Sequence, residues 1–280
     1  MKTGYNFKWI ASHIPRGLAT GLAGEYNMPV KIRRIISAIM LQPARDYFSA
    51  LDSCIHGSSL LNIILIFLFL LLSWWIYVPV HELFHALGCF IGGGNVSRLE
   101  LSPIYGAAVL KKIFPFISVG SAYAGQLKEF DTFGSDSGYL LTVFSPYVLT
   151  VIIGLPLLKS VSSGSQSPQL LNCIKFGIAI PFAYAPFISV TGDYYEMGSI
   201  IISKSASLVF HGFEPHYWRN DDLIPLVRRL FFSGHSVKIE DIAGVSAAFL
   251  LGIILIYATY WLGILFSTLI QNGAAKKGVL

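Results

Sequence analysis

Charge is what this sequence has least of. Only 12% of its 280 residues are Asp, Glu, Lys or Arg, against roughly 25% in an ordinary globular domain. Three stretches carry none of the four: Cys54 to Val80, Ser137 to Leu158 and Ile242 to Ala275. Each is long enough for a membrane-spanning helix, which needs about 20 apolar residues. A fourth uncharged run, Phe176 to Gly192, is borderline in length and is interrupted by Pro181 and Pro186. With hydrophobic residues at 54%, the composition argues against a soluble fold. The expectation is a mainly α, integral, multi-pass membrane protein with about four transmembrane helices, and so with the lipid bilayer as its first partner.

Other absences narrow the class further. The three cysteines, Cys54, Cys89 and Cys173, show no paired spacing, which argues against a disulfide framework. The stretch "MKTGYNFKWIASHIPRGLATG" lacks the apolar core of a signal peptide. The net charge is +5, but no basic cluster is interleaved with aromatics, so nucleic acid is not an expected partner. There is no internal repeat. Between the second and third apolar runs lies only the Ser-rich "KSVSSGSQSPQ", too short for a PDZ-like soluble insert.

What remains reads as four regions. Residues 1–59 form a basic N-terminal extension, in which "VKIRRIISAIM" fits an interfacial amphipathic helix or plain polar chain. Residues 60–203 form a membrane core of three helices. Residues 204–242 form a polar, water-facing loop, with "LIPLVRRLFF" as an amphipathic helix. Residues 243–280 form a C-terminal transmembrane helix and tail.

Within the core, Leu60 to Ile91 as one helix would be about 48 Å long, against about 30 Å of hydrocarbon. Pro79 invites a kink, Trp74, Trp75 and Tyr77 suggest an interfacial aromatic belt, and Gly92 to Gly94 stop the helix. Residues 95–127 then suggest a short β-hairpin or re-entrant element: in "NVSRLEL", Leu99 and Leu101 alternate with Arg98 and Glu100.

Near the end of that first apolar helix stands "HELFH". It matches H-E-x-x-H. On a helix, positions i and i+4 share one face, so His81 and His85 can grip one zinc ion while Glu82 serves as general base toward water. Ionisable groups inside spans are expensive and usually functional. A catalytic zinc generally takes three protein ligands and keeps one position open. Asp193 is the leading third ligand, being the first acid in an otherwise uncharged broken span. Glu196, three residues on, is the rival or a supporting partner, and Asp136 is a weaker candidate. Cys89 continues the stripe of His81 and His85, although a buried packing role suits a free cysteine better. His56, His211, His216 and His235 lie outside the spans and carry no assigned role.

Together these features resemble the site-2 protease family of intramembrane zinc metalloproteases. The resemblance rests on "HELFHALG" closing an apolar helix, a Gly-containing turn into strand-like sequence, the Pro-containing middle span "FSPYVLTVII", and the acid in "APFISVTGDYYEMG". It covers about Leu60 to Ser203. It implies a three-helix core, zinc as cofactor held by His81, His85 and Asp193, Glu82 as base, and a site that water reaches within the membrane. The family acid is typically followed by Gly; here Gly192 precedes it. The family's motif helix usually runs towards the cytoplasm, whereas the basic N-terminal region favours the opposite orientation by the positive-inside rule.

The expected activity is zinc-dependent hydrolysis of peptide bonds in membrane-associated substrates, with "NVSRLELSP" holding an unwound substrate segment as an added strand. Two rival classes stay open. One is a membrane zincin that cuts soluble or lipidated peptides. The other is a non-enzymatic protein, either an ion relay or a zinc-stabilised scaffold.

Overall fold

The uncharged runs fold as helices in the computed structural model, which describes residues 30–55, 60–163, 167–210, 213, 218–232 and 238–276. Four helical segments are long and apolar enough to cross a membrane: Leu60–Ile91, Asp136–Ser162, Gln169–Val209 and Ile239–Gly273. The helices are α1 (Val30–Ile55), α2 (Leu60–Ile91), the single turn α3 (Ala107–Leu110), α4 (Asp136–Phe144), α5 (Leu155–Ser162), α6 (Gln169–Ile188), α7 (Asp193–Val209), α8 (Leu223–Phe232) and α9 (Ile239–Lys276). α1 crosses from a unit that ends at Gln42 into a second unit that begins at Pro43 and holds all the later elements. In that second unit Ala50 and Cys54 are fully buried in a cluster with Leu155, Leu158, Phe176 and Tyr260. Residues 43–55 therefore belong to this helical unit, not to a separate extension.

α2 runs unbroken for 32 residues with Pro79 inside it. Its stop is a Schellman turn. Gly93 is left-handed at φ 81, and the amides of Gly93 and Gly94 donate back to the carbonyls of Phe90 (3.1 Å) and Cys89 (2.8 Å), which satisfies the last turn of the helix. The chain leaves directly into β1 (Asn95–Leu101).

β1 is the middle of a three-stranded sheet with order β2-β1-β3. β2 (Ile117–Val119) lies parallel to it and β3 (Gly125–Asp131) antiparallel. The sheet corrects the expectation of a simple hairpin or re-entrant piece, because β1 pairs on both sides. Val96, Leu99, Leu101 and Ile117 are buried against Val78, Ala86 and Cys89 of α2. The opposite side carries Arg98, ion-paired to Glu100 and Glu129. A register irregularity at Val96–Leu99 lets buried residues three apart face the same way, as a bulge does.

The second and third spans are both irregular. Asp136–Ser162 passes from α4 through a 3-10 turn at Ser145–Tyr147 and a π turn at Thr150–Gly154 before α5. Gln169–Val209 is two helices, α6 and α7, separated by a turn at 189–192. Prolines explain part of this. Each lacks the amide that would bond the carbonyl four residues earlier. Pro181 frees the Gly177 carbonyl, which accepts from the Ser73 hydroxyl at 3.3 Å. Pro186 frees the Phe182 carbonyl, which accepts from Thr150 Oγ1 at 2.7 Å. Neighbouring helices thus resatisfy what the prolines expose, as apolar surroundings require.

Candidate metal centre

His81 and His85 sit one turn apart on α2, and Asp193 opens α7 directly after the 189–192 turn. The turn lets α7 begin at the depth of the histidines. Asp193 also lies in the first turn, where a helix favours negative charge. Packing draws the elements together. A Cβ on Gly88 would stand 2.5 Å from the Leu141 carbonyl oxygen of α4, so the absence of a side chain there sets how closely the second span approaches "HELFH".

The three residues converge. His81 Nε2 and His85 Nε2 are 3.1 Å apart, and Asp193 Oδ2 lies 3.4 Å from the first and 3.6 Å from the second. They are the only group of metal-ligating side chains of this kind among the described residues. A tetrahedral site with bonds of about 2.0–2.1 Å has ligand-to-ligand edges of about 3.3–3.4 Å. The three observed edges bracket that value. The side chains are 11% exposed for His85, 12% for His81 and 22% for Asp193, leaving one side of the cluster open.

The second nitrogen of each histidine is occupied. His85 Nδ1 is 2.9 Å from the Thr142 carbonyl oxygen. A carbonyl only accepts, so Nδ1 carries the hydrogen and the neutral ring presents a lone pair at Nε2. His81 Nδ1 lies 2.7 Å from the Tyr77 hydroxyl. Asp193 Oδ2 accepts from the Tyr147 hydroxyl at 2.5 Å. One proton shared between two of the converging atoms would satisfy one edge of the triangle. A divalent cation satisfies all three, and two imidazoles with one carboxylate suit zinc.

Glu82 follows His81 on the same helix, and its carboxylate makes no hydrogen bond among the described residues. It lies against the start of β3: a Cβ added to Gly125 would stand 2.5 Å from Glu82 Cγ and 3.0 Å from Cδ. The missing side chain at Gly125 gives the carboxylate its room. On the other flank, a cleft of about 140 Å³ between α2 and α6 reaches His81, lined by Trp74, Tyr77, Ala185, Ile188 and Ser189.

The remaining candidates lie apart from the triangle. Glu196 is buried and accepts from the Tyr139 hydroxyl. Asp136 sits at the start of α4 and pairs with Arg219 at 2.6 Å and Lys204 at 3.4 Å. Cys89 is fully buried, with Sγ 3.6 Å from the Asn95 carbonyl oxygen, in a packing position. His56, His211, His216 and His235 lie outside the described residues. Tyr77 requires a correction: it is 5% exposed and turned onto His81, not placed in an interfacial belt. Tyr147 and Thr142 also join the site without having been expected there. Tyr77 had a local signal, because it stands four residues before His81 on the same stripe. Tyr147 and the Thr142 carbonyl had none, because both are contributed by another span.

Comparison with family models, with curated proteins and with solved structures finds no match to this chain. The functional reading of the site therefore rests on its geometry.

Proposed function

We propose that this chain is a multi-pass membrane zinc metalloendopeptidase of the H-E-x-x-H type, acting on peptide bonds of membrane-associated substrates. The observation that carries the reading is the triangle of His81 Nε2, His85 Nε2 and Asp193 Oδ2, three potential ligand atoms at the spacing of tetrahedral ligands, with the unbonded carboxylate of Glu82 on the same helix. Four helices of membrane-spanning length and composition support the setting.

His81, His85 and Asp193 would hold the zinc, which supplies Lewis-acid polarisation of a scissile carbonyl and activation of water. Glu82 takes a proton from the attacking water and delivers it to the leaving nitrogen. Gly125 keeps the space that this carboxylate needs. Tyr77, Tyr147 and the Thr142 carbonyl fix the rings and the carboxylate from behind, which holds the ligand atoms in place before substrate arrives.

A peptide bond inside a helix must be unwound before it can be cut, and an extended segment is best held by a strand. β1 is flanked on both sides along residues 99–101, which leaves it less free edge than β3 has. The reading therefore moves the substrate strand from "NVSRLELSP" to β3. β3 is an edge strand whose first residue touches Glu82, so a segment added along it would run past the base.

Metal analysis of the purified protein in detergent tests the reading. Wild type should carry one zinc per chain, and His81→Ala and Asp193→Ala should carry none. Glu82→Gln should keep the zinc and lose peptide cleavage. Absence of zinc from wild type would favour an ion relay, and zinc without cleavage a scaffold.

A further inference from the structure

The second span supplies no ligand, yet its irregular turn touches two of the three. Pro146 has no amide hydrogen, so the Thr142 carbonyl four residues earlier is left without its usual helical donor. That carbonyl is the atom that accepts from His85 Nδ1 at 2.9 Å. The next residue, Tyr147, is fully buried and donates to Asp193 Oδ2 at 2.5 Å. Two successive residues thus act on ligands from two different elements, α2 and α7. The prolines of the third span act differently. The carbonyls freed by Pro181 and Pro186 are taken by Ser73 and Thr150, neither of which belongs to the candidate metal centre.

We infer that Pro146 and Tyr147 are positioning residues for the metal: the "SPY" turn sets zinc affinity by fixing the His85 tautomer and the Asp193 rotamer. The inference rests on the zinc reading above and goes beyond it by assigning the orientation of the ligands to a span that contributes none of them. The Thr142 carbonyl selects the ring form with hydrogen on Nδ1 and the lone pair on Nε2. The Tyr147 hydroxyl bonds Oδ2, the atom that faces both histidines, and so holds the carboxylate to one rotamer. Losing such an outer hydrogen bond typically costs ten- to hundredfold in metal affinity.

The test is zinc affinity of the full-length protein in detergent, measured by competition with a chromophoric chelator, beside the thermal midpoint of the metal-free protein. Tyr147→Phe removes only the hydroxyl. Pro146→Ala restores an amide that competes for the Thr142 carbonyl. Thr150→Val is the control, since it removes the hydroxyl that serves the Phe182 carbonyl and touches no ligand. Tyr147→Phe and Pro146→Ala should each bind zinc about ten- to hundredfold more weakly than wild type. Thr150→Val should bind it with wild-type affinity while melting earlier. Wild-type affinity in both Tyr147→Phe and Pro146→Ala would overturn the inference and leave the metal reading intact. Weakening by Thr150→Val to the same degree would overturn it too, by showing general damage to the span. No zinc in wild type would bring down the metal reading itself, and this inference with it.

Discussion

Two aspartates in this unit each accept from a buried tyrosine and differ in their remaining partners. Asp46, on α1, is 4% exposed; its Oδ1 pairs with Lys159 Nζ at 3.1 Å and its Oδ2 accepts from the Tyr260 hydroxyl at 2.7 Å. Asp193 also accepts from a tyrosine, Tyr147. Where Asp46 has an ammonium, however, Asp193 has two imidazole nitrogens, one of them held as an acceptor by the Thr142 carbonyl. The first cluster contains its own cation. The second has no ammonium or guanidinium partner among the described residues, and in our proposal a metal ion takes that place. A buried ion pair is weak evidence for net stability, but removing one partner is costly. At Asp193 the only internal cation on offer among the described residues is a protonated imidazole. The contrast sets a polar cluster that holds its own ammonium beside one that, in the proposed reading, takes a metal ion.

The sharpest way to break this contrast is at the base beside the open cluster. Glu82→Gln should lower peptide hydrolysis by about 10²–10⁴-fold, the usual contribution of a general acid–base group, with zinc content unchanged. Cleavage retained at the wild-type rate would remove Glu82 from the chemistry. The closed cluster should respond through stability instead. Lys159→Ala removes the ammonium from Asp46 Oδ1 and should destabilise the fold by about 3 kcal/mol, the low end for breaking a buried pair because Lys159 keeps 22% exposure. Its zinc content should match wild type. Restoring neutrality with Asp46→Asn beside Lys159→Met should recover most of the loss. Thermal midpoints with metal analysis check both variants.

Between these sits Gly125→Ala. The new Cβ would meet Glu82 Cγ at 2.5 Å, so the carboxylate must move while the metal triangle stays. We expect turnover to fall by at least about tenfold, in keeping with the sensitivity of catalysis to displacements of about 1 Å, with zinc affinity within about twofold of wild type. Equal losses of zinc and turnover would place Gly125 in the support of the metal instead.

How much of this was legible in the sequence depends on the range of the interactions. "HELFH" was legible because helical geometry makes i and i+4 neighbours. Asp193 was legible as a candidate because it is the first acid in an otherwise uncharged broken span, although Glu196 three residues on remained its rival. The uncharged runs gave the four long helices, and the alternation of Leu99 and Leu101 with Arg98 and Glu100 gave β1. The middle position of β1 was not legible, because parallel pairing with β2 depends on a connection that carries no two-residue hairpin signal. The closed cluster was invisible, since Asp46 and Lys159 are 113 positions apart. The prolines were legible only as interruptions. That Pro146, Pro181 and Pro186 offer three carbonyls to side chains of other helices emerges only when the partner helices are in place.

Those three carbonyls carry the smallest of the expected effects and the cleanest. The Thr142 carbonyl serves a candidate ligand, whereas the Gly177 carbonyl serves only packing, through a Ser73 hydroxyl that also reaches the Leu70 carbonyl of its own helix at 3.0 Å. Ser73→Ala removes one hydroxyl from a well-packed contact between α2 and α6. The Gly177 carbonyl then loses its donor from α2, and the loss should be about 1 kcal/mol, the net worth of an ordinary hydrogen bond. The thermal midpoint should fall by a few degrees. Zinc affinity and turnover should stay at wild-type values, because Ser73 contacts no member of the triangle. A Ser73→Ala protein that melts normally but binds zinc poorly would erase the distinction between the two kinds of carbonyl, and with it the claim that only the one freed by Pro146 works for the metal.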